Sequence, residues 1–139
     1  MTYRNLNLAG VKKLAAMVYK KSGPSCRVFG LIGTLGAGKT AFTKALAHSM
    51  GIKDAKSPTF VLIHCYVQGK KSLYHIDLYR LEKHAELEPL GLDEIINETN
   101  SIVVIEWVDK FPQLMKKCDL LIKFEITKDN NRNVTITNT

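Results

Sequence analysis

The sequence predicts an α/β domain in three layers, with helices on both faces of a central sheet that mixes parallel and antiparallel strands. Three observations lead there. An apolar run over residues 26–32 enters the glycine-rich segment Gly33-Thr34-Leu35-Gly36-Ala37-Gly38-Lys39-Thr40 and then a helical stretch, the strand–loop–helix order of a parallel unit. A hairpin pattern follows that helix directly, which strict alternation of strand and helix does not produce. A four-residue apolar run closed by an acid, Ile102-Val103-Val104-Ile105-Glu106, marks a second strand buried on both faces. The parallel strands are therefore expected at the glycine-rich loop and the antiparallel ones at the edges.

The 139 residues are expected to form one domain, residues 1–139, long enough to bury a core without staples. Hydrophobic content of 45% and charged content of 24% are those of a globular chain. No apolar run approaches the roughly 18 residues of a membrane span, and residues 1–10 lack a secretory pattern. Cys26, Cys65 and Cys118 are odd in number and widely spaced; Cys26 and Cys65 sit in apolar runs and are expected to be buried thiols of a reducing cytoplasm. Lys+Arg 20 against Asp+Glu 13 gives +7, carried by lysine pairs such as Lys12-Lys13 and Lys116-Lys117. Such a surface permits an RNA partner without establishing one; the alternative is lysines on solvated helix faces, and no RNA-recognition module is visible.

In chain order, residues 6–21 place Leu8, Val11, Leu14, Ala15 and Val18 on one helical face, and Gly23-Pro24 break that helix. The strand over 26–32 and a helix over 41–50, stopped by Gly51, flank the glycine-rich segment. Residues 60–66 and 73–78 read as strands around the turn Gln68-Gly69-Lys70-Lys71, a hairpin within residues 59–79. Short helices are expected over 81–88 and 91–98, separated by Pro89 and Gly91. After the strand ending at Glu106, residues 120–127 and 133–137 read as a closing antiparallel pair around Asp129-Asn130-Asn131.

Residues 33–40 fit G-x-x-x-x-G-K-[S/T] without substitution. This spacing has a mechanism: the glycines let backbone N–H groups close around phosphate oxygens, the lysine reaches the β/γ-phosphates, and the hydroxyl of Thr40 can hold Mg²⁺. The binding set is thus Gly33, Thr34, Leu35, Gly36, Ala37, Gly38, Lys39 and Thr40, with Ala41 opening the helix, and the fold is P-loop NTPase-like. The expected ligand is a nucleoside triphosphate.

Hydrolysis also needs a carboxylate for the metal and a group to orient water. Glu106, at the carboxyl end of an apolar strand, is the first candidate. Asp77, in His75-Ile76-Asp77-Leu78-Tyr79-Arg80, is the second, and it shares a strand face with His75; a structural salt bridge or turn acceptor is its alternative. Thr59 in Ser57-Pro58-Thr59-Phe60 either senses a γ-phosphate or bonds locally at a hairpin start. Trp107, the sole tryptophan, either stacks on a base or partner or packs in the core. Arg80, three residues past Asp77, falls on the opposite strand face by alternation, which leaves the site without an assured arginine unless the strand ends and turns there.

These segments, with Gly91-Leu92-Asp93-Glu94 and Ile105-Glu106-Trp107, occur in an order and approximate spacing that resemble the TsaE family over nearly the whole chain. Phe60 stands where that family has Tyr, and Val108 where it often has Pro. The resemblance implies a weak bacterial cytoplasmic ATPase with ATP and Mg²⁺ as cofactors, needed for threonylcarbamoyladenosine modification of tRNA. It would act with TsaB and TsaD, touching tRNA at least through that complex, with self-association left open. In the implied roles Thr40 and Glu106 are metal ligands, Lys39 the phosphate clamp and Asp77 a catalytic or water-positioning group. Three other classes compete. A small-molecule kinase usually needs several arginines on a lid, whereas this chain has Arg4, Arg27, Arg80 and Arg132 alone. A GTPase needs Asn-Lys-x-Asp and Asp-x-x-Gly, neither of which occurs. A non-hydrolysing nucleotide-dependent module fits the motifs as well as an ATPase does.

Overall fold

A computed structural model describes residues 1–55 and 62–139. The strands are β1 (Thr2–Leu6), β2 (Val28–Ile32), β3 (Ile63–Gln68), β4 (Lys71–Asp77), β5 (Ser101–Glu106), β6 (Leu120–Ile126) and β7 (Arg132–Asn138). The helices are α1 (Leu8–Lys21), α2 (Lys39–Ser49), α3 (Leu92–Asn97) and α4 (Pro112–Met115). The strands form one sheet in the order β1-β7-β6-β2-β5-β4-β3. Strands β4, β5, β2 and β6 run parallel, and β3, β7 and β1 join antiparallel at the edges. This is the mixed sheet the sequence predicts, and a topological switch point lies at β2, flanked on both sides by parallel strands.

Alternation divides the core. Phe29 and Leu31 of β2, Leu73 of β4, Ile102 and Val104 of β5 and Ile122 and Phe124 of β6 meet α1 and α2 on one face. Ile76, Val103 and Ile105 turn to the other face, under Leu78, Leu81, Leu87, Leu92, Val108, Phe111 and Leu114. That third layer is thin, made of short helices and turns. Gly30 shows how tight it is. A Cβ there would lie 2.8 Å from Cys118 Sγ, 2.8 Å from Val108 Cγ1 and 2.9 Å from a Leu121 methyl. Among the described residues no helix is long and apolar enough to cross a membrane.

Four expectations are corrected. The first helix begins at Leu8, where the side chain of Asn7 caps it by accepting from Gly10 N at 2.8 Å. Leu6 belongs instead to β1, an edge strand the sequence reading missed, and Leu8 is exposed rather than buried. Residues 81–88 hold no α-helix; two 3₁₀ turns, His84–Glu86 and Glu88–Leu90, surround Pro89, which has no N–H to continue a ladder. Cys65 is exposed and Cys26 half-buried, because β3 is an edge strand and Cys26 precedes β2; Cys118 is the buried thiol. A helix of four residues, α4, also went unread. The part of the hairpin assigned to residues 59–61 lies outside the described residues, but β3 and β4 pair in register from Ile63↔Ile76 to Gln68↔Lys71, with Gly69 in the left-handed region at the turn.

Candidate functional site

The parallel strands β2, β4, β5 and β6 end at the same edge of the sheet, and the candidate residues that the structure describes gather there. β2 stops at Ile32 and the chain turns at once into the glycine-rich loop. Gly33 lies so close to β6 that a Cβ would come within 2.9 Å of the Phe124 carbonyl oxygen. Gly36 (φ 77°) and Gly38 (φ 110°) take left-handed conformations that favour glycine, and Ala37 N closes the turn on Thr34 O at 3.1 Å. α2 begins at Lys39. The N–H groups of its first turn have no carbonyl behind them and carry the positive end of the helix dipole, so they favour an anion.

Lys39 is 4% exposed. Its ammonium donates to Gly33 O and to Thr34 O (3.1 Å) and stands 3.9 Å from the ring centre of Trp107. Burial lowers its pKa below the ordinary lysine value, against the pull of Glu106, Asp77 and Asp109. The Thr40 hydroxyl lies 3.5 Å from Glu106 Oε1. Glu106 closes β5 next to β2, so the helix and the carboxylate meet although 66 residues separate them. The second carboxylate oxygen accepts a hydrogen bond from His75 Nε2. Both residues are almost fully buried, so His75 fixes the carboxylate and leaves Oε1 toward Thr40.

A hydroxyl and a carboxylate oxygen are the hard donors Mg²⁺ takes, with phosphate and water completing its shell. Among the described residues no group of three or more His, Cys, Asp or Glu forms a metal cage. Thr40 and Glu106 thus fit a metal that arrives with a phosphorylated ligand.

Asp77 pairs in register with Glu106 on the far side of β5 from the loop. It is half-buried and accepts from Tyr79 N at 2.9 Å. Burial raises its pKa above the ordinary aspartate value, partly countered by that N–H; Glu106 raises it further, while His75 and Lys39 oppose. Trp107 is half-buried in the left-handed region (φ 62°), its ring 5.0 Å from that of Tyr79. It walls the cleft over Lys39 and also packs against the second apolar layer.

These groups line a cleft of 460 Å³ together with Leu8, Leu35, Leu62, Tyr79, Arg80 and Arg132, within the range of small-ligand sites. Of the sequence candidates, Leu35, Gly36, Ala37, Gly38, Lys39, Thr40, Ala41, Asp77, Glu106 and Trp107 line it, and Gly33 and Thr34 lie beneath, holding the lysine. Thr59, with the rest of Ser57-Pro58-Thr59-Phe60, lies outside the described residues.

Arg80 requires a correction. β4 ends at Asp77 and the chain turns through Tyr79, so alternation no longer applies and Arg80 joins the cleft wall. Sequence reasoning also missed His75 as the partner of Glu106, and Arg132 and Leu8 as cleft residues. Matching strand parity marks His75 and Glu106 as one face each, but not that β4 and β5 are neighbours. Arg132 opens β7 and Leu8 follows β1, and both reach the cleft because β6 and β1 end at this same edge.

Residues 7–134 match the family model for "Threonylcarbamoyl adenosine biosynthesis protein TsaE". The protein named tRNA threonylcarbamoyladenosine biosynthesis protein TsaE from Bacillus subtilis is 36% identical over 138 residues, covering 99% of this chain and 85% of that protein. The protein of the same name from Haemophilus influenzae is 36% identical over 126 residues, covering 90% and 78%. The crystal structure of Bacillus subtilis YdiB superposes with a TM-score of 0.78 at 30% identity, covering 99% of this chain and 84% of that one.

Proposed function

The chain belongs to the TsaE family, and from that premise we propose that it is a Mg²⁺-dependent ATPase of tRNA threonylcarbamoyladenosine biosynthesis, acting with TsaB and TsaD. The observation that carries the ATPase reading is the approach of Thr40 Oγ1 to Glu106 Oε1 at the mouth of the phosphate loop. A hydroxyl and a fixed carboxylate beside a lysine and a helix N-terminus are the parts that bind a nucleoside triphosphate with its metal. Bound Mg²⁺ would neutralise charge developing on the phosphate oxygens.

The chain's own residues divide the remaining work. Loop N–H groups and Lys39 hold phosphate oxygens; Thr40 and Glu106 would hold the metal; His75 keeps Glu106 in place. Asp77 stands one strand further from the loop, a position suited to orienting water. Tyr79 and Trp107 wall the cleft. Adenine is the proposed base, since no Asn-Lys-x-Asp acid is present to accept the guanine protons. With Arg80 on the cleft wall, slow turnover no longer follows from a missing arginine. Weak activity alone and acceleration by TsaB and TsaD rest on family membership.

The direct test measures free phosphate, and any phosphorylated acceptor, for the chain alone and with TsaB, TsaD and tRNA. Phosphate release accelerated by the assembly is expected. Equal turnover alone and assembled refutes the coupling, and a phosphorylated acceptor in place of free phosphate indicates a kinase. Lys39→Ala should weaken ATP binding by the worth of a charged hydrogen bond, about 1.5–3 kcal/mol, or roughly 10- to 150-fold. Thr40→Ala should abolish Mg²⁺-dependent turnover. Normal affinity and turnover in both folded variants would refute the site.

A further inference from the structure

The cleft wall opposite Glu106 is built by Arg132, a residue the ATPase reading leaves without a task. Among the described residues its guanidinium donates to backbone carbonyls alone. Nη2 donates to Gly36 O at 2.9 Å and Nε to Ala37 O at 3.2 Å, both within the phosphate loop. Nη1 donates to Asn130 O (2.5 Å) and to Asn131 O (3.5 Å) in the turn between β6 and β7. That turn is itself braced, by Thr127 N to Asn131 O at 2.9 Å and by Asn131 N to the Thr127 hydroxyl at 3.1 Å. A link to β1 runs through Asn131 Nδ2 to Asn5 Oδ1 at 3.0 Å. Arg132 also packs on the loop: a Cβ on Gly38 would lie 3.8 Å from its Cγ and Nε. Among the described residues no carboxylate pairs with it.

Peptide planarity turns these bonds into a statement about the other side of the loop. In a trans peptide the C=O of one residue and the N–H of the next point in opposite directions. Holding Gly36 O outward therefore sends the Ala37 N–H inward, where it closes the turn on Thr34 O. Holding Ala37 O outward sends the Gly38 N–H away from Arg132, and its peptide is polarised by the cation on its carbonyl. The positive charge lies directly behind the loop, and among the described residues no acid forms an ion pair with it.

We infer that Arg132 is a positioning residue of the phosphate loop. It fixes the Ala37–Gly38 peptide so that the Gly38 N–H meets a phosphate oxygen, and it anchors the loop to the braced β6–β7 turn. The role belongs to a guanidinium, because its flat fork serves two adjacent carbonyls at once while a lysine offers a single point charge. The inference rests on the nucleotide-binding reading above.

The test uses the full chain as wild type, Arg132→Gln and Arg132→Lys, each checked for an unchanged circular dichroism spectrum. Calorimetry gives the affinity for ADP, and displacement of a fluorescent ADP analogue gives that for inorganic pyrophosphate. Arg132→Gln should lose tenfold or more for both ligands by a similar factor. Arg132→Lys should recover only a minor part of that loss. The Gly38 amide resonance should move upfield in both variants even without ligand, a signature general destabilisation does not produce selectively. Wild-type affinities in the variants overturn the inference and leave the nucleotide reading standing. A loss for ADP with pyrophosphate unchanged also overturns it, by placing Arg132 on the nucleoside. Full recovery by lysine overturns it in favour of charge alone. If the wild type binds neither ligand, the nucleotide reading fails and the inference falls with it.

Discussion

Replacing His75 with Phe removes a hydrogen-bond donor from the most buried polar contact of the site while leaving a ring of similar size in its place. His75 is 1% exposed and Glu106 2%, so water does not replace the lost N–H at Glu106 Oε2. Among the described residues the carboxylate then keeps one hydrogen-bond partner, the Thr40 hydroxyl, 3.5 Å from its other oxygen, with the Lys39 charge nearby. A hydrogen bond to a charged group contributes about 1.5–3 kcal/mol, and an uncompensated buried carboxylate sets the upper end. At about 2.1 cal/mol/K per residue, 139 residues give an unfolding entropy near 0.3 kcal/mol/K, so the melting temperature should fall by about 5–10 °C. The functional effect is separate. Groups that orient a metal ligand typically contribute about 10- to 100-fold in metal affinity, so the Mg²⁺ midpoint of ATP binding should rise by that factor. Melting followed by circular dichroism measures the first quantity. A Mg²⁺ titration at fixed ATP, read from Trp107 fluorescence, measures the second. Combining His75→Phe with Glu106→Gln should give less than the summed loss, because the two share one contact. A variant that melts within about 1 °C of wild type, with an unchanged Mg²⁺ midpoint, would refute the claim that His75 holds the ligand carboxylate.

Glu106→Gln should act mainly on Mg²⁺ dependence, whereas Asp77→Asn should lower turnover by about 10²–10⁴ with little change in ATP affinity; the opposite pattern in steady-state kinetics would exchange their roles. Gly30→Ala drives a methyl against Cys118, Val108 and Leu121 at once and should cost about 1–3 kcal/mol, with an unchanged melting curve as the contrary result. Cys65 should alkylate readily in the native protein, whereas Cys118, its thiol pushed up to about 12 by burial and by Asp119, should not. Between the ordinary thiol pKa and 12 the unfolded chain has released a proton the folded chain retains. Stability from this group is therefore full below the ordinary value and falls as pH rises toward 12, and Cys118→Ala should flatten that slope in alkaline denaturation.

The phosphate loop, the strand before it, the helix after it and Glu106 were legible because their signals are local. Spacing of glycines fixes a turn, apolar periodicity fixes an element, and an acid after four apolar residues falls at a strand end. The antiparallel hairpin, with its glycine turn, was legible for the same reason. β1 was not. Its residues Thr2, Tyr3, Arg4, Asn5 and Leu6 carry no apolar alternation, and the strand forms by backbone bonding to β7, from the far end of the sequence. Cys65 was misplaced for a similar reason, since an apolar run does not reveal whether its strand lies at the centre of a sheet or at its edge.

The sequence by itself therefore determined the glycine-rich loop, the α/β class, the mixed sheet and the family. Only the tertiary structure decided which side chains from distant elements meet there. His75 reaches Glu106 because β4 lies beside β5. Arg132 reaches Gly36 and Ala37 because β6 runs parallel to β2 and returns at the same edge. Arg80 enters the cleft because β4 ends at Asp77 and turns. Local spacing encodes dihedral preferences and burial periodicity, whereas strand order is set by packing both faces of the sheet together, and no short segment carries that information.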